Sequence, residues 1–153
     1  MRLNCRYFFA SFSPHLSKFM SEIKSNADIA PCLSVVMPVF NEVNTIASVV
    51  SLVLAQPPVK QLVIVDDCSR DGTREKLQSL AQNEPRIKLI HHEVNQGKGA
   101  ALRTGIQHTT SDIVIIQDAD LEYDPTEYHR LLTPILVVSA TVSVSLLRET
   151  AKH

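Results

Sequence analysis

Glycine is scarce in this sequence, four in 153 residues, and cysteine is scarcer still. The three cysteines, Cys5, Cys32 and Cys68, are odd in number and far apart, which fits neither a disulfide framework nor the paired spacing of a zinc site. Their pattern points to a reducing compartment. Charge of one sign is also missing: a net charge of −1 and a pI near 6.6 give no electrostatic footprint for a polyanion, which argues against nucleic acid as a partner. Any phosphate ligand must be held by local groups. Nor is there a long hydrophobic run. The longest candidate, Ile135 to Leu147, falls short of the ~20 apolar residues a bilayer span needs and is broken by Ser139, Thr141, Ser143 and Ser145. The expectation is a chain that does not span a membrane.

What is present is an ordinary globular composition, 44% apolar and 20% charged, enough for one domain with a real core. Residues 1–30 carry Arg2, Arg6 and Lys18 with no acid before Glu22, a faint echo of a basic targeting segment. The apolar stretch Tyr7 to Ala10 is too short for a signal-peptide core, and Met20 opens a second plausible start. These residues are therefore expected to form a poorly ordered extension, with the domain beginning at residue 31.

From Leu33 to Val39 the chain is almost wholly apolar and β-rich, as in a strand buried on both faces of a parallel sheet. Asn44 is placed to cap a helix whose Ile46, Val49, Val50, Val53 and Leu54 recur at helical spacing, and Pro57-Pro58 ends it. A second apolar run, Gln61 to Val65, stops at Asp66-Asp67-Cys68-Ser69-Arg70-Asp71-Gly72, and Leu77, Leu80 and Ala81 mark the helix that follows. Arg86 to His91 reads as a third strand. The loop Asn95-Gln96-Gly97-Lys98-Gly99 leads into a helix near Ala100, and Ile113 to Ile116 is a fourth strand running into Asp118-Ala119-Asp120. Asp124-Pro125-Thr126-Glu127 is a helix start with Leu131 and Leu132 as its buried face. Strict alternation of strand and helix predicts an α/β fold with an open, mainly parallel sheet covered on both faces.

In such sheets ligands bind beyond the carboxyl ends of the strands, and Asp66, Asp67, Asp118 and Asp120 all fall on that edge. Residues two apart in extended chain point the same way, so Asp118 and Asp120 can face one point. An isolated Asp-x-Asp more often merely caps a turn. Here it follows a buried strand at the binding edge, beside a second acidic pair, and such a gathering of like charge needs a cation. Oxygen-only ligands suit Mg²⁺ or Mn²⁺, whose remaining positions a substrate's phosphates fill. Gly97-Lys98-Gly99 is neither a P-loop, since Gly99 and His92 stand where Ser or Thr and Gly are required, nor a dinucleotide fingerprint, since Leu102 occupies its last position. Lys98 and Arg103 remain as diphosphate contacts or as plain surface charges.

Four segments in order, Leu33 to Glu42, Val65 to Thr73, Asn95 to Gly105 and Gln117 to Pro125, resemble the motifs of family 2 glycosyltransferases. The nearest branch is the polyprenyl-phosphate sugar transferases, and the likeness runs from about Leu33 to Leu136. It implies a GT-A fold, a UDP- or GDP-linked sugar donor, inversion at the anomeric carbon, and a polyprenyl phosphate among the acceptors. By position it also implies a nucleotide site of Pro38, Phe40, Asn41, Glu42, Asp66, Asp67, Lys98, Asp118 and Ala119. Within it Asp67 would bond the base and Lys98 would lie near the diphosphate, with Mg²⁺ or Mn²⁺ on Asp118 and Asp120. The implied location is the cytoplasm, or the cytoplasmic face of a membrane.

Two departures from the family pattern stand out. Cys68 occupies a position where a small residue such as Gly is usual. Residues 137–153 lack the family's following strand, its Gly-Ser-Arg segment and its acceptor region, so the expectation is a sheet incomplete at the C-terminus and a chain without an identifiable catalytic base. The rival expectations are a catalytically incomplete nucleotide-binding fragment and a nucleotidyltransferase with a similar sheet.

Overall fold

The computed structural model describes residues 26–120 and 122–136, so the basic N-terminal stretch, Met20 and the tail from 137 lie outside the described residues. Four strands form one sheet: β1 (Leu33–Val39), β2 (Val59–Asp66), β3 (Ile87–His91) and β4 (Ile113–Ile116). Between them lie α1 (Ile46–Leu54), α2 (Thr73–Asn83) and α3 (Lys98–Gln107), and a short turn of helix, Pro125–Glu127, leads into α4 (128–136). The strand order is β3-β2-β1-β4 and every pairing is parallel, as the alternation of elements predicts.

All seven residues of β1 are buried because both faces of the strand are covered. On one face Leu33, Val35, Met37, Leu62 and Ile64 pack with Ile46, Val49, Val50 and Val53 of α1, Leu77 of α2, and Tyr128 and Leu132 of α4. On the other face Val36, Val63 and Val65 meet Ala101 of α3. Period-two alternation thus feeds two cores from one strand, and a continuous apolar run is the sequence form that requires.

Gly105 sets how closely α3 approaches the sheet. A Cβ there would overlap Val36 Cγ1 and lie 3.3 Å from Val65 Cγ2. Gly105→Ala should therefore cost about 1 to 3 kcal/mol of stability, as overpacking does, and would push α3 off the strands it covers. Chemical denaturation reads the loss; an unchanged midpoint would mean that the helix shifts without penalty.

Several local expectations need correction. Residues 26–30, assigned to the extension, belong to the domain: Asn26 is buried, and its side chain donates to Gln56 Oε1 (2.7 Å) and the Pro125 carbonyl (3.0 Å) while accepting from the His129 N–H (2.6 Å). Asn44 does not cap α1; Thr45 occupies that position, and its hydroxyl donates to Glu42 instead. Of the two leucines expected on the buried face of α4, Leu132 is buried and Leu131 is exposed. No helix among the described residues is long and apolar enough to cross a membrane.

Candidate functional site

The chain runs β1, β2, β3 in one direction across the sheet and then returns to place β4 on the far side of β1, so the switch in strand order lies between β1 and β4. The two strands part there. Their last pair is Val36 with Ile116, and the Val36 carbonyl accepts from the Gln117 N–H (3.0 Å). Two residues on, Pro38 presents the same side of β1 and has no N–H to extend the ladder. Beyond the parting is an open cleft of about 410 Å³ lined by Pro38, Phe40, Glu42, Asp67, Lys98 and the run Asp118 to Asp120, with Val39, Asn95, Gly97 and Ala101 completing its wall.

Two loops give the first wall its shape. Asn41 takes a left-handed conformation (φ 57°), which Asn tolerates better than most side chains. Its N–H donates to Ser69 Oγ (2.9 Å), and its Oδ1 accepts from the Arg70 N–H (2.9 Å). The Glu42 N–H donates to Thr73 Oγ1 (2.9 Å), and the Val43 N–H donates to Asp71 Oδ2 (3.1 Å). The Asp71-Gly72-Thr73 turn is thereby a clamp on the β1 loop, with Gly72 left-handed at φ 98° as it enters α2. Cys68 is left-handed as well (φ 67°), which supplies a physical reason for glycine at such a position.

Asp66 and Asp67 are neighbours with opposite surroundings. Asp66 is fully buried away from the cleft. Its Oδ1 accepts from the Ser69 N–H (3.1 Å), and its Oδ2 meets Arg74 Nε (2.9 Å) and His91 Nδ1 (3.1 Å). Burial opposes its ionisation, but these donors outweigh it and hold the carboxyl below its ordinary value. Asp66, expected among the nucleotide-binding residues, is thus occupied by protein donors and does not line the cleft. Asp67 does line the cleft, and its carboxylate accepts from the N–H groups of Gln96 (3.0 Å) and Gly97 (2.7 Å) and contacts His92 Nδ1 (2.7 Å). Burial again acts against ionisation and is again outweighed, here by Gln96, His92 and Gly97. Asp67 therefore fixes the loop that starts α3, and His92, whose Nε2 is 3.0 Å from Thr104 Oγ1, ties that loop to the middle of the helix.

Lys98 is the first residue of α3, and its Nζ lies 2.7 Å from Asp118 Oδ1. That bond leads the effects that raise the Lys98 pKa, so the side chain is firmly cationic. Asp118 and Asp120 both reach the cleft, Asp120 accepting only a 3.2 Å bond from the Glu122 N–H. Their turn is held from behind by buried Gln117, which donates to the carbonyls of Asp118 (3.3 Å) and Tyr123 (3.0 Å) and accepts from the Tyr128 hydroxyl (2.8 Å).

Of the sequence-derived site residues, Pro38, Phe40, Glu42, Asp67, Lys98, Asp118, Ala119 and Asp120 converge on the cleft. Asn41 braces its wall from outside, and Arg103 is exposed on α3 and does not line it. Asn95, His92 and Gln117 went unassigned in the sequence. The signal that could have found them is position: each follows a strand at the carboxyl edge.

The donor set fits a hard divalent cation only in part. Among the described residues no group of three or more His, Cys, Asp or Glu side chains forms a cage. Two carboxylates with the remaining positions left to phosphate and water are the arrangement Mg²⁺ and Mn²⁺ use at nucleotide sites. Charge points the same way. The described lining holds four carboxylates, Glu42, Asp67, Asp118 and Asp120, against the single ammonium of Lys98, so a diphosphate entering alone meets net repulsion.

Comparison with known proteins reaches the same region of the chain. Residues 34–147, well over half of it, match Glycosyl transferase family 2, and the match continues past Leu136, where the sequence likeness was expected to end. The dolichol-phosphate mannosyltransferase of Pyrococcus furiosus is 30% identical over 105 residues, covering 67% of this chain and 30% of that protein. Among solved structures, the Pyrobaculum calidifontis mannosyltransferase in complex with GDP-Man and Mn²⁺ superposes with a TM-score of 0.55 at 25% identity, over 76% of this chain and 33% of that one. The glucosyl-3-phosphoglycerate synthase of Mycobacterium tuberculosis, in complex with Mn²⁺, UDP and phosphoglyceric acid, gives 0.56 at 28%, over 76% and 43%. Curated relatives are matched over 28% to 36% of their own lengths.

Proposed function

The chain belongs to glycosyl transferase family 2, with the GT-A form of parallel sheet, and on that premise we propose that the cleft is the donor side of a sugar transferase. Its ligand is a nucleoside diphosphate sugar, UDP- or GDP-linked, delivered to an acceptor of the polyprenyl phosphate class. The observation that carries the proposal is the meeting of the β1 loop, Lys98 and the Asp118 and Asp120 carboxylates at one switch point. Family membership favours sugar transfer over nucleotidyl transfer.

Within this reading Phe40, half-exposed at the cleft, and Glu42 receive the nucleoside, and Lys98 faces the diphosphate. Asp67 acts as a positioning residue, since its carboxylate is spent on the loop that presents Lys98. Asp118 and Asp120 hold Mg²⁺ or Mn²⁺, which when bound supplies neutralisation of the diphosphate leaving group. A phosphate acceptor is already anionic at neutral pH, so attack with inversion needs no general base from the described residues. A lipid-linked acceptor would place the protein at the cytoplasmic face of a membrane.

Calorimetric titration with UDP-glucose and GDP-mannose, with and without Mn²⁺, tests the donor site. Saturable binding of at least one sugar nucleotide that depends on Mn²⁺ is expected. A cooperatively folded chain that binds neither, with or without metal, overturns the proposal. Because the matched region is about a third of the relatives' length, turnover is a separate measurement. Release of UDP or GDP in the presence of a polyprenyl phosphate identifies a transferase, and binding with no release identifies a donor-binding unit.

A further inference from the structure

We infer that Lys98, seated on Asp118, is a resident counter-ion that moves to the donor's diphosphate as Asp118 becomes a metal ligand, so that cation and nucleotide load as a coupled pair. The inference deepens the donor-site reading and rests on it.

Four observations carry it. The Lys98 ammonium is 2.7 Å from the same Asp118 carboxylate that would ligate the cation, so the two positive charges compete for one oxygen. Among the described residues Asp120 accepts one bond, from the Glu122 N–H at 3.2 Å, so a cation on Asp120 lacks its second carboxylate while the ammonium holds Asp118. The Lys98 side chain is 60% exposed on a helix start that Asp67 fixes through the Gly97 N–H, so its tip can swing while its base stays put. Asp118, Asp120 and Tyr123 act on that tip, and a diphosphate would bring it an anionic partner other than the two carboxylates a cation would take. A cation arriving alone must displace the ammonium from its 2.7 Å contact, and Asp120, the other carboxylate acting on Lys98, is needed by the same cation. When a diphosphate is present the ammonium exchanges one anion for another, and the penalty disappears. Linkage makes the effect reciprocal: the nucleotide tightens the cation by the factor by which the cation tightens the nucleotide.

The test is Mn²⁺ binding followed by the loss of the free-ion electron paramagnetic resonance signal, in wild type, Lys98→Met and Arg103→Ala, each alone and with saturating UDP or GDP. Wild type should bind Mn²⁺ weakly alone and at least about fivefold more tightly with nucleotide, the lower end of ordinary coupling. Lys98→Met should bind Mn²⁺ alone about fivefold more tightly than wild type, the scale of an exposed ion pair, yet more weakly than wild type once UDP or GDP is present. That reversal of sign is what general electrostatics cannot produce, because loss of a nearby positive charge should favour the metal in both arms. Arg103→Ala, which removes a charge from the same helix outside the cleft, should show no reversal. Thermal unfolding should be nearly unchanged for both variants, since both side chains are exposed. Unchanged or weaker Mn²⁺ binding by Lys98→Met alone, or shifts of one sign in both arms, overturns the inference while leaving the donor site standing. A wild type that binds neither nucleotide overturns both.

Discussion

Asp66→Asn is expected to lower the stability of the domain by about 3 kcal/mol, because it removes one partner of a buried charge network and strands the other. Arg74 and His91 converge on a carboxylate with no solvent exposure, and an amide cannot accept from both while also holding the Ser69 N–H. Arg74 keeps some contact with water, which places the loss at the lower end of the range for breaking such pairs. Donor affinity of the protein that remains folded should change far less, since no atom of Asp66 lines the cleft. Urea unfolding combined with calorimetry below the midpoint separates the two effects. A stable variant that has lost its ligand would return Asp66 to the nucleotide site.

The same residue makes stability depend on pH in a definite direction. The Asp66 carboxyl is held below its ordinary value in the folded state, so the stabilisation is fully present above the unfolded pKa, about 3.9, and is lost as pH falls through the lowered folded value. Asp67 contributes with the same sign. Wild type should therefore lose stability steeply below about pH 4, and Asp66→Asn, which no longer has this carboxyl to protonate, should have a shallower acid limb.

Asp66 also marks where the sequence stops being legible. Strands β1 and β2 were visible because strands buried on both faces must be largely apolar, β4 was visible as an apolar run although Val114 and Ile116 on its outer face are exposed, and the alternation with helices then fixed the sheet as parallel. The carboxyl-edge rule brought the right loops together, and the Asp-x-Asp spacing brought both carboxylates to the cleft. An Asp-Asp pair at a strand end gives no such guidance, because adjacent side chains point to opposite sides and the residues alone do not say which side is the cleft. Supporting roles were hidden for a related reason. Asn26 meets Pro125 and His129 across about a hundred residues, Gln117 braces its turn through carbonyls, and His92 acts on Asp67 from another strand's end. None of these pairings leaves a local spacing to read. Asn44 was a reasonable cap by residue type, but the clamp from Asp71 and Thr73 fixes the preceding loop and leaves that position to Thr45.

Asp118→Asn and Asp120→Asn should have the opposite profile to Asp66→Asn: little loss of stability and a large loss of metal-dependent donor binding. Asp120 is exposed and Asp118 is partly so, with the solvent-facing Lys98 as its ion-pair partner, so unfolding should shift by no more than about 0.5 kcal/mol. Each change neutralises one of the two carboxylates assigned to the cation, and among the described residues no group of three or more His, Cys, Asp or Glu side chains stands ready to replace it. Mn²⁺-dependent affinity for a sugar nucleotide should fall by at least about 100-fold, beyond the 10- to 100-fold typical of residues that merely support a ligand. The metal-free arm carries the more discriminating expectation. Four carboxylates face the cleft, so neutralising one lowers the repulsion a diphosphate meets, and binding without metal should be unchanged or tighter. Glu42→Gln, which changes the nucleoside side of the same cleft and leaves both cation carboxylates in place, should keep the dependence on Mn²⁺. If the Asp118 and Asp120 variants instead lost affinity equally with and without metal, these carboxylates would be contacting the donor directly, and the cation would have to be held elsewhere.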